Sequence, residues 1–467
     1  MHVSHRPLPR LKLLTFSFLA WTSIHTAYAS NVLERDIAII GGGASGVYAA
    51  LRLREMNHSF AIVEERDHFG GHVSTYTVPG TETHIDYGAQ GFGGDEDSIR
   101  RFFGYYDIPL VRVKLAEVGF GKTRYVDFKT STELPDFRPD QNISVLAREV
   151  YKYPELSLNT ALPSPLPEDL ALTFRDFVTK YGIESSVFSI YFQTEGLGDL
   201  LSKPTLYVFK YLNPAYLDGQ LPTSPGFFVT ERAFNQEVYL RAQADFGASA
   251  LVSSRVVAAQ RNDSRVVLVV KTPTRTQTIV ARKLLVTMPP TLANMRPLDL
   301  DAREHGLFSR FEAQGWYVGL VNATGFVAGH EFINAAAAHS QFHLPQLPAL
   351  YQISPTRVEG IHLVRYGSPS YMTESDVRAD IVRTVDRVRR AVVPNAASLP
   401  SVELLAFSSH WPFSLRVSAS DMAGGFYTRL DALQGHRSTW YTGATFSSTT
   451  ASHVWNFTER LLPRVFE

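Results

Sequence analysis

The first regular pattern in the chain is a run of apolar residues, followed by glycines and then by an amphipathic stretch. Asp36-Ile-Ala-Ile-Ile40 is apolar at every position after the first, which is typical of a strand buried on both faces of a parallel sheet. Residues 47–56 have apolar side chains at helical spacing, and Phe60-Ala-Ile-Val63 is a second buried run. Together these segments predict a βαβ unit.

Similar patterns recur far along the chain. Residues 265–270 and 278–287 predict two strands, and residues 438–442 predict a third strand that leads through Gly443 into a helix. An apolar stripe at helical spacing predicts another helix over Glu374–Val392. Elements of both types are therefore interleaved over most of the chain.

A chain of 467 residues is too long for one small core, and the order of its elements predicts an α/β fold with two domains. A Rossmann-type nucleotide-binding domain would be assembled from three segments, residues 30–100, 226–290 and 405–467. An inserted α+β substrate domain would comprise residues 101–225 and 291–404.

The amino-terminal residues 1–29 have the order of a secretory signal peptide. Basic residues precede an apolar run, which is followed by the Ala27-Tyr-Ala29 cleavage pattern. An uncleaved membrane anchor is the alternative, but the run is short of the roughly 20 residues that span a bilayer. We therefore expect a secreted or lumenal protein, with N-glycans possible at the sequons of Asn57, Asn142, Asn262, Asn322 and Asn456.

Composition excludes several classes of function. The 45 Lys and Arg residues balance 45 Asp and Glu residues, so net charge does not indicate nucleic acid or an anionic membrane as a partner. The chain has no cysteine, which excludes disulfides and thiolate chemistry. With no paired-histidine spacing either, we predict no metal site. A small-molecule substrate remains the expected partner.

The glycines after the first strand have the spacing Gly41-x-Gly43-x-x-Gly46, which predicts a dinucleotide-binding turn. Such a turn lets a pyrophosphate approach the backbone at a helix amino terminus. Glu64, at the end of the second strand, is placed to accept hydrogen bonds from ribose hydroxyls and disfavours a 2′-phosphate. NADP is thus disfavoured as the resident ligand, and NAD and FAD remain open.

Two blocks after the second strand distinguish these cofactors. Glu64-Glu-Arg-Asp-His-Phe-Gly-Gly-His72 and His84-Ile-Asp-Tyr-Gly-Ala-Gln90, with Tyr441-Thr-Gly-Ala-Thr445 near the end, are similar to the cofactor segments of the flavin-containing amine oxidase superfamily. Within it, the chain looks most like the fungal β-cyclopiazonate dehydrogenase family. The resemblance implies an amine-oxidase-like or glutathione-reductase-like fold and FAD as cofactor. It implies cofactor contacts at Gly41, Gly43, Ala44, Ser45, Gly46, Glu64, Glu65, Arg66, Gly70, Gly71, His72, Gly88, Ala89, Gln90, Val256, Gly443, Ala444, Thr445 and Val454.

Three departures from the superfamily pattern affect the chemistry. His72 stands where many amine oxidases have an arginine, which replaces a permanent charge by a conditional one. Phe426 stands where monoamine oxidases carry the cysteine that bonds to the flavin, so a cysteinyl flavin is impossible. No lysine follows Lys283, so the lysine that amine oxidases place near the flavin has no counterpart in that part of the chain.

Four residues are candidates for the catalytic site. Tyr427, Trp411 and Gln90 are expected near the flavin ring, and His410 could act as a general base. Core packing is the alternative for the aromatic residues. The resemblance implies an FAD-dependent oxidoreductase that abstracts hydride from a small organic substrate, a secondary-metabolite intermediate, and that can close a ring. A redox-neutral double-bond isomerase, a peroxide-releasing amine oxidase and a non-catalytic flavin-binding protein remain alternatives.

Overall fold

The computed structural model describes residues 32–114, 122–221, 223–337 and 340–466. The predicted signal peptide, residues 1–29, lies outside these ranges. Within them, every helix falls short of the length and apolar character that a membrane-spanning segment requires.

Strands and helices are numbered in chain order. The strands are β1 Val32–Ile40, β2 Phe60–Val63, β3 Thr75–Thr77, β4 His84–Asp86, β5 Leu110–Val113, β6 Lys122–Asp127, β7 Thr132–Glu133, β8 Phe227–Thr230, β9 Ala250–Leu251, β10 Arg255–Arg261, β11 Val266–Lys271, β12 Thr276–Val286, β13 Glu312–Asn322, β14 His330–Asn334, β15 Ala349–Pro355, β16 Ile361–Ser368, β17 Glu403–Ser409, β18 Phe413–Arg416 and β19 Thr439–Tyr441. The α-helices are α1 Ala44–Glu55, α2 Glu96–Gly104, α3 Ser144–Val150, α4 Glu168–Ala171, α5 Phe174–Tyr181, α6 Val187–Gln193, α7 Thr205–Tyr211, α8 Pro214–Gln220, α9 Glu237–Phe246, α10 Leu292–Met295, α11 Ala302–Phe308, α12 Glu374–Val392, α13 Ala419–Ala423, α14 Phe426–Asp431 and α15 Ala451–Phe466.

The first sheet is the predicted Rossmann-type sheet. Within the described residues it has seven strands, in the order β10-β11-β12-β1-β2-β9, with β19 pairing to the second half of β12. Strands β19, β12, β1, β2 and β9 run parallel, and β10–β11–β12 form an antiparallel meander. Helix α1 packs between this sheet and α15, where the rings of Tyr48 and Trp455 stack with centroids 5.8 Å apart. The predicted βαβ unit and the strands near residues 265–287 and 438–442 are confirmed.

The second sheet has eight strands within the described residues, in the order β17-β13-β16-β15-β14-β6-β7, with β18 also paired to β13. Helix α12 has the predicted bounds and buries Val377, Ile381, Val385 and Val388 against one face of this sheet. The apolar stripe of that helix is thereby explained.

One predicted domain boundary needs correction. The third nucleotide-binding segment was expected to begin at residue 405, but β17 and β18 both pair antiparallel with β13 of the second sheet. The segment that returns to the first sheet therefore begins after Arg416. A strand's sequence shows its burial but not which distant strand it pairs with, so this boundary could not be read from the pattern.

Candidate active site

The predicted glycine turn links β1 to α1 at the carboxyl end of the first sheet. A Cβ atom on Gly46 would lie 1.9 Å from the carbonyl oxygen of Gly41, and a Cβ atom on Gly41 would lie 2.4 Å from Thr287 Oγ1. Gly41 also has a φ of +110°, which favours glycine. Close packing of the turn against α1 and the end of β12 therefore requires glycine at both positions.

Gly43, in contrast, leaves open space at the amino terminus of α1. It is the N-cap residue, no side chain caps the helix, and the first turn has no acidic residue. A Cβ atom on Gly43 would meet no described protein atom closer than Gly71 Cα, at 3.7 Å. Free N–H groups and the helix dipole at such an end attract phosphate. Gly43, with Ala44 and Ser45 behind it, forms a surface that fits a pyrophosphate.

Glu64 follows β2 directly, and the backbone holds its carboxylate in place. Oε2 accepts a hydrogen bond from the Gly42 amide at 2.6 Å, and Oε1 accepts one from the Arg66 amide at 2.8 Å. Each oxygen keeps a lone pair for another donor, so the predicted contact to ribose hydroxyls is chemically available. The neighbouring Glu65 is exposed.

Val256, the predicted adenine contact, follows a segment that is hydrogen-bonded to the backbone at Glu64 and Arg66. The amides of Ser253 and Ser254 donate to the carbonyl oxygens of Arg66 and Glu64 at 2.7 and 2.8 Å. Val256 follows in β10 and is buried. The chain segments that carry the predicted adenine and ribose contacts are therefore joined by hydrogen bonds.

The double glycine packs on the first glycine turn. Gly70 and Gly71 both have positive φ, and a Cβ atom on Gly71 would lie 2.9 Å from Gly43 Cα. The Arg66 guanidinium donates to the carbonyl oxygens of Gly71 at 2.7 Å and Ser409 at 3.1 Å. Arg66 thus fastens the double glycine to the end of β17 in the second sheet.

His72 is exposed by surface area and lines the cavity that is described below. It stacks on the His410 ring, with centroids 4.2 Å apart. Burial, with a contribution from Arg66, lowers the pKa of His72 to about 4, and burial holds the pKa of His410 well below its usual value. These shifts favour the neutral form of both imidazoles, whereas an arginine at position 72 would carry a permanent charge.

The segment after β4 is held close to His72 by its backbone. A Cβ atom on Gly88 would lie 2.2 Å from the His72 carbonyl oxygen, which accepts a hydrogen bond from the Ala89 amide at 2.9 Å. Gln90 Nε2 donates to a backbone carbonyl of β4 at 3.0 Å, and its Oε1 accepts from Arg365 at 2.8 Å. Hydrogen bonds thus hold both ends of the Gln90 amide, and the catalytic role of Gln90 stays a prediction.

The last cofactor segment follows β19. Gly443 has a φ of +111°, and a Cβ atom there would lie 3.1 Å from the Thr287 carbonyl oxygen. In α15, Val454 is buried and the indole of Trp455 donates to the carbonyl oxygen of Ala44 at 3.1 Å. The start of α15 is thereby tied to the start of α1.

A cavity of about 70 Å³ lies where these segments meet the second domain. The predicted cofactor residues border it on one side, and α7, α14 and the start of β18 border it on the other. Its lining includes His72, Ala444 and Thr445, together with Tyr207, Lys210, Tyr211, Phe413 and Tyr427. A larger groove of about 500 Å³ lies elsewhere and contains none of the predicted site residues, so size alone does not identify the site.

Of the predicted catalytic residues, Tyr427 lines the cavity, whereas Trp411 and His410 do not. Tyr427, in the first turn of α14, lines the cavity, and its hydroxyl lies 2.9 Å from that of Tyr207. Trp411 and His410 are not among the residues that line it. His410 lies behind His72, and Trp411 packs against Tyr371 with ring centroids 5.4 Å apart. The residues that follow Trp411, from Pro412 to Leu415, do line the cavity. The catalytic roles of Trp411 and His410 stay predictions.

Sequence reasoning missed Tyr207 and Lys210, which both lie on α7. No sequence motif surrounds these two residues, and an aromatic-rich helix in the inserted region is typical of a helix in the hydrophobic core. Lys210 also revises the expectation drawn from the lysine-free end of the chain, because a lysine reaches this cavity from an earlier segment.

One group of three possible metal ligands occurs within the described residues, and it is distant from the glycine turn in sequence. It comprises Asp301, Glu304 and His436. Glu304 forms an ion pair with Arg261 at 2.8 Å, and Asp301 with His436 at 2.7 Å. These contacts explain why the three side chains lie close together, since each is paired with a neighbouring side chain.

Comparison with known proteins identifies the cofactor. A family model described as an NAD(P)-binding Rossmann-like domain matches residues 39–106. The FAD-dependent oxidoreductase pigF of Monascus ruber is 37% identical over 92% of each chain, and the FAD-dependent oxidoreductase dbaF of Emericella nidulans is 36% identical over 96% of this chain and 94% of its own. The chain belongs to this family of FAD-dependent oxidoreductases. A β-cyclopiazonate dehydrogenase of Aspergillus oryzae is 29% identical over 94% of each chain, so the predicted resemblance is confirmed.

Solved structures extend the comparison of the fold. A CLA-producing fatty acid isomerase from P. acnes matches 93% of this chain and 99% of its own, with 19% identity and a TM-score of 0.68. Putrescine oxidase bound to putrescine matches 93% of this chain and 99% of its own, with 16% identity and a TM-score of 0.62. The predicted amine-oxidase-like fold is confirmed.

As expected for this family of FAD-dependent oxidoreductases, the site fits FAD. The open amino terminus of α1 at Gly43 suits the pyrophosphate, and Glu64 and Val256 suit the adenosine half. The segments at Gly88 and Gly443 converge toward the cavity, where the redox-active half would lie.

Proposed function

We propose that this oxidoreductase removes a hydride from a small organic substrate, an intermediate of a fungal secondary metabolite, and that ring closure of the oxidised substrate can follow. The observation that carries the proposal is the cavity between the cofactor segments and the aromatic residues of α7 and α14. Bound FAD supplies the two-electron acceptor. Tyr207, Phe413 and Tyr427 bound the space in which a substrate would be oriented, and the dehydrogenase among the relatives supports the reaction type.

The test needs the natural substrate. Deleting the gene in its host and isolating the compound that accumulates would supply it. Mixed anaerobically with the purified holoenzyme, this compound should bleach the visible flavin absorption and yield a product lighter by one pair of hydrogen atoms. A product of unchanged mass would instead indicate an isomerase, and peroxide release from a panel of amines would indicate an amine oxidase.

We also propose that residues 1–29 direct the chain into the secretory pathway. Asn456 is unsuited to a glycan in the folded chain, because it is half-buried in α15 and its Nδ2 donates to Asp95 at 3.0 Å. The remaining sequons are exposed, at Asn57, Asn142, Asn262 and Asn322. Mass spectrometry of the secreted protein should find a mature terminus at Ser30 and glycans only at exposed sequons. An intact Met1 would contradict the proposal.

A further inference from the structure

We propose that Lys210 and the paired hydroxyls of Tyr207 and Tyr427 bind an acidic oxygen of the substrate, a carboxylate or an enolate, inside the cavity. The inference rests on the proposed function, since it names the class of substrate that the same cavity accepts. It is carried by Lys210, a cation to which the described residues supply no anion.

Lys210 lies at the end of α7, half-buried. Its Nζ donates one long hydrogen bond, 3.4 Å, to the carbonyl oxygen of Asn159 and lies 5.8 Å from the centroid of the Tyr427 ring. Within the described residues it forms no ion pair. Burial lowers the pKa of Lys210 to about 8, so the ammonium is charged at neutral pH. A desolvated ammonium with one long bond is costly unless an anion completes its coordination.

The two tyrosines add neutral donors to this charge. The Tyr207 hydroxyl accepts a hydrogen bond from the Val417 amide at 2.7 Å and lies 2.9 Å from the Tyr427 hydroxyl. The Tyr207 hydroxyl can donate its own hydrogen bond to the Val417 carbonyl oxygen at 3.3 Å or to the Tyr427 hydroxyl. In the second arrangement the Tyr427 hydroxyl is free to donate to a ligand. Burial raises the pKa of Tyr207 to about 12 and that of Tyr427 well above its usual value, so both keep their protons at neutral pH.

A neighbouring cavity carries more positive than negative side chains. It has a volume of about 410 Å³, shares Tyr427 with the first cavity and includes Asn159, the acceptor of the Lys210 bond. Arg460 and Arg464 line this second cavity, with Asp431 as its acidic member. Excess positive charge close to the first cavity favours the approach of an anion.

The experiment compares benzoate with benzamide, its neutral analogue, as ligands of the holoenzyme. Binding is followed by the change in flavin absorption for the wild type, Lys210→Met and Lys210→Arg. The wild type should bind benzoate about 10- to 100-fold more tightly than benzamide, because a charge-assisted hydrogen bond is lost with the neutral probe. Lys210→Met should lose that preference with unchanged benzamide affinity, and Lys210→Arg should keep part of it.

Lys203→Met is the matched control. Lys203 is also buried and burial also lowers its pKa to about 8, but it lies near Arg416 and is not among the residues that line the cavity. The control should keep the wild-type preference. FAD content and circular dichroism establish that each variant is folded, and Lys210→Gln replaces Lys210→Met if the methionine variant loses FAD.

Several outcomes would overturn the inference. One is the absence of a benzoate preference in the wild type. Another is a full benzoate preference in the Lys210 variants that lack a charge. A shifted flavin reduction potential with the preference retained would place the ammonium at the cofactor and would also refute it. Because binding is measured without turnover, the inference can fail while substrate oxidation is confirmed, and it can hold if no compound reduces the flavin.

Discussion

Alanine at Gly43 and alanine at Gly46 should separate cofactor binding from folding. At Gly43 the new Cβ atom would lie 3.7 Å from the nearest described protein atom, so the folded chain accommodates it. The methyl group would, however, occupy the open approach to the amino terminus of α1. At Gly46 the Cβ atom would lie 1.9 Å from the carbonyl oxygen of Gly41, and the turn must move.

The magnitudes follow from these distances. Gly43→Ala should leave the free energy of unfolding of the apoprotein within about 1 kcal/mol of the wild type. Loss of one charge-assisted hydrogen bond to the pyrophosphate, about 1.5–3 kcal/mol, weakens FAD binding about 10- to 100-fold. Gly46→Ala should destabilise the apoprotein by about 1–3 kcal/mol or more, because it overpacks a closed turn.

Two measurements on each variant check this. Urea unfolding of the apoprotein gives stability, and quenching of flavin fluorescence gives the dissociation constant of FAD. Gly306→Ala in α11 is the control, since a Cβ atom there has nothing within 4 Å and should change neither quantity adversely. Wild-type FAD affinity in Gly43→Ala would refute the assignment of the open helix end to the pyrophosphate.

Three further predictions concern the cofactor bond and the buried charges. Acid precipitation should release the flavin into the supernatant, since the chain has no cysteine to hold it; flavin retained in the pellet would reveal another covalent link. Glu304→Ala should destabilise the protein by about 3 kcal/mol in urea unfolding, because it removes a buried carboxylate that pairs with Arg261 at 2.8 Å and accepts from Tyr441 at 2.9 Å, while Asp299 stays paired with Arg261. Glu403→Ala at an exposed site should cost less than about 0.5 kcal/mol. Burial lowers the pKa of His362 to about 4. Between about pH 6.5 and 4 the unfolded state therefore binds more protons than the folded state, and the free energy of unfolding decreases as the pH decreases. His362→Leu should remove about 2 kcal/mol of the stability lost between pH 7 and 5, and an unchanged pH dependence would contradict this.

Local and periodic features were readable from the chain alone. The helix Glu374–Val392 has the predicted bounds because its burial repeats with the helical period. The glycine turn and Glu64 were predictable because each acts within one βαβ unit. Order and spacing of the cofactor segments were enough to predict FAD, which the relatives confirm.

Features that depend on distant pairing were decided only by the tertiary structure. Strands β17 and β18 join the second sheet because they pair with β13, and no property of their own sequence specifies that partner. The lowered pKa of His72 could not be read from the sequence, because the His410 ring that stacks on it comes from far along the chain. Lys210 reads as an ordinary helical lysine, and only the packing of α7 against α14 places its charge in a cavity beside the cofactor segments. Sequence thus determined the cofactor, whereas the environment that meets the substrate depends on contacts between distant segments, which folding alone brings together.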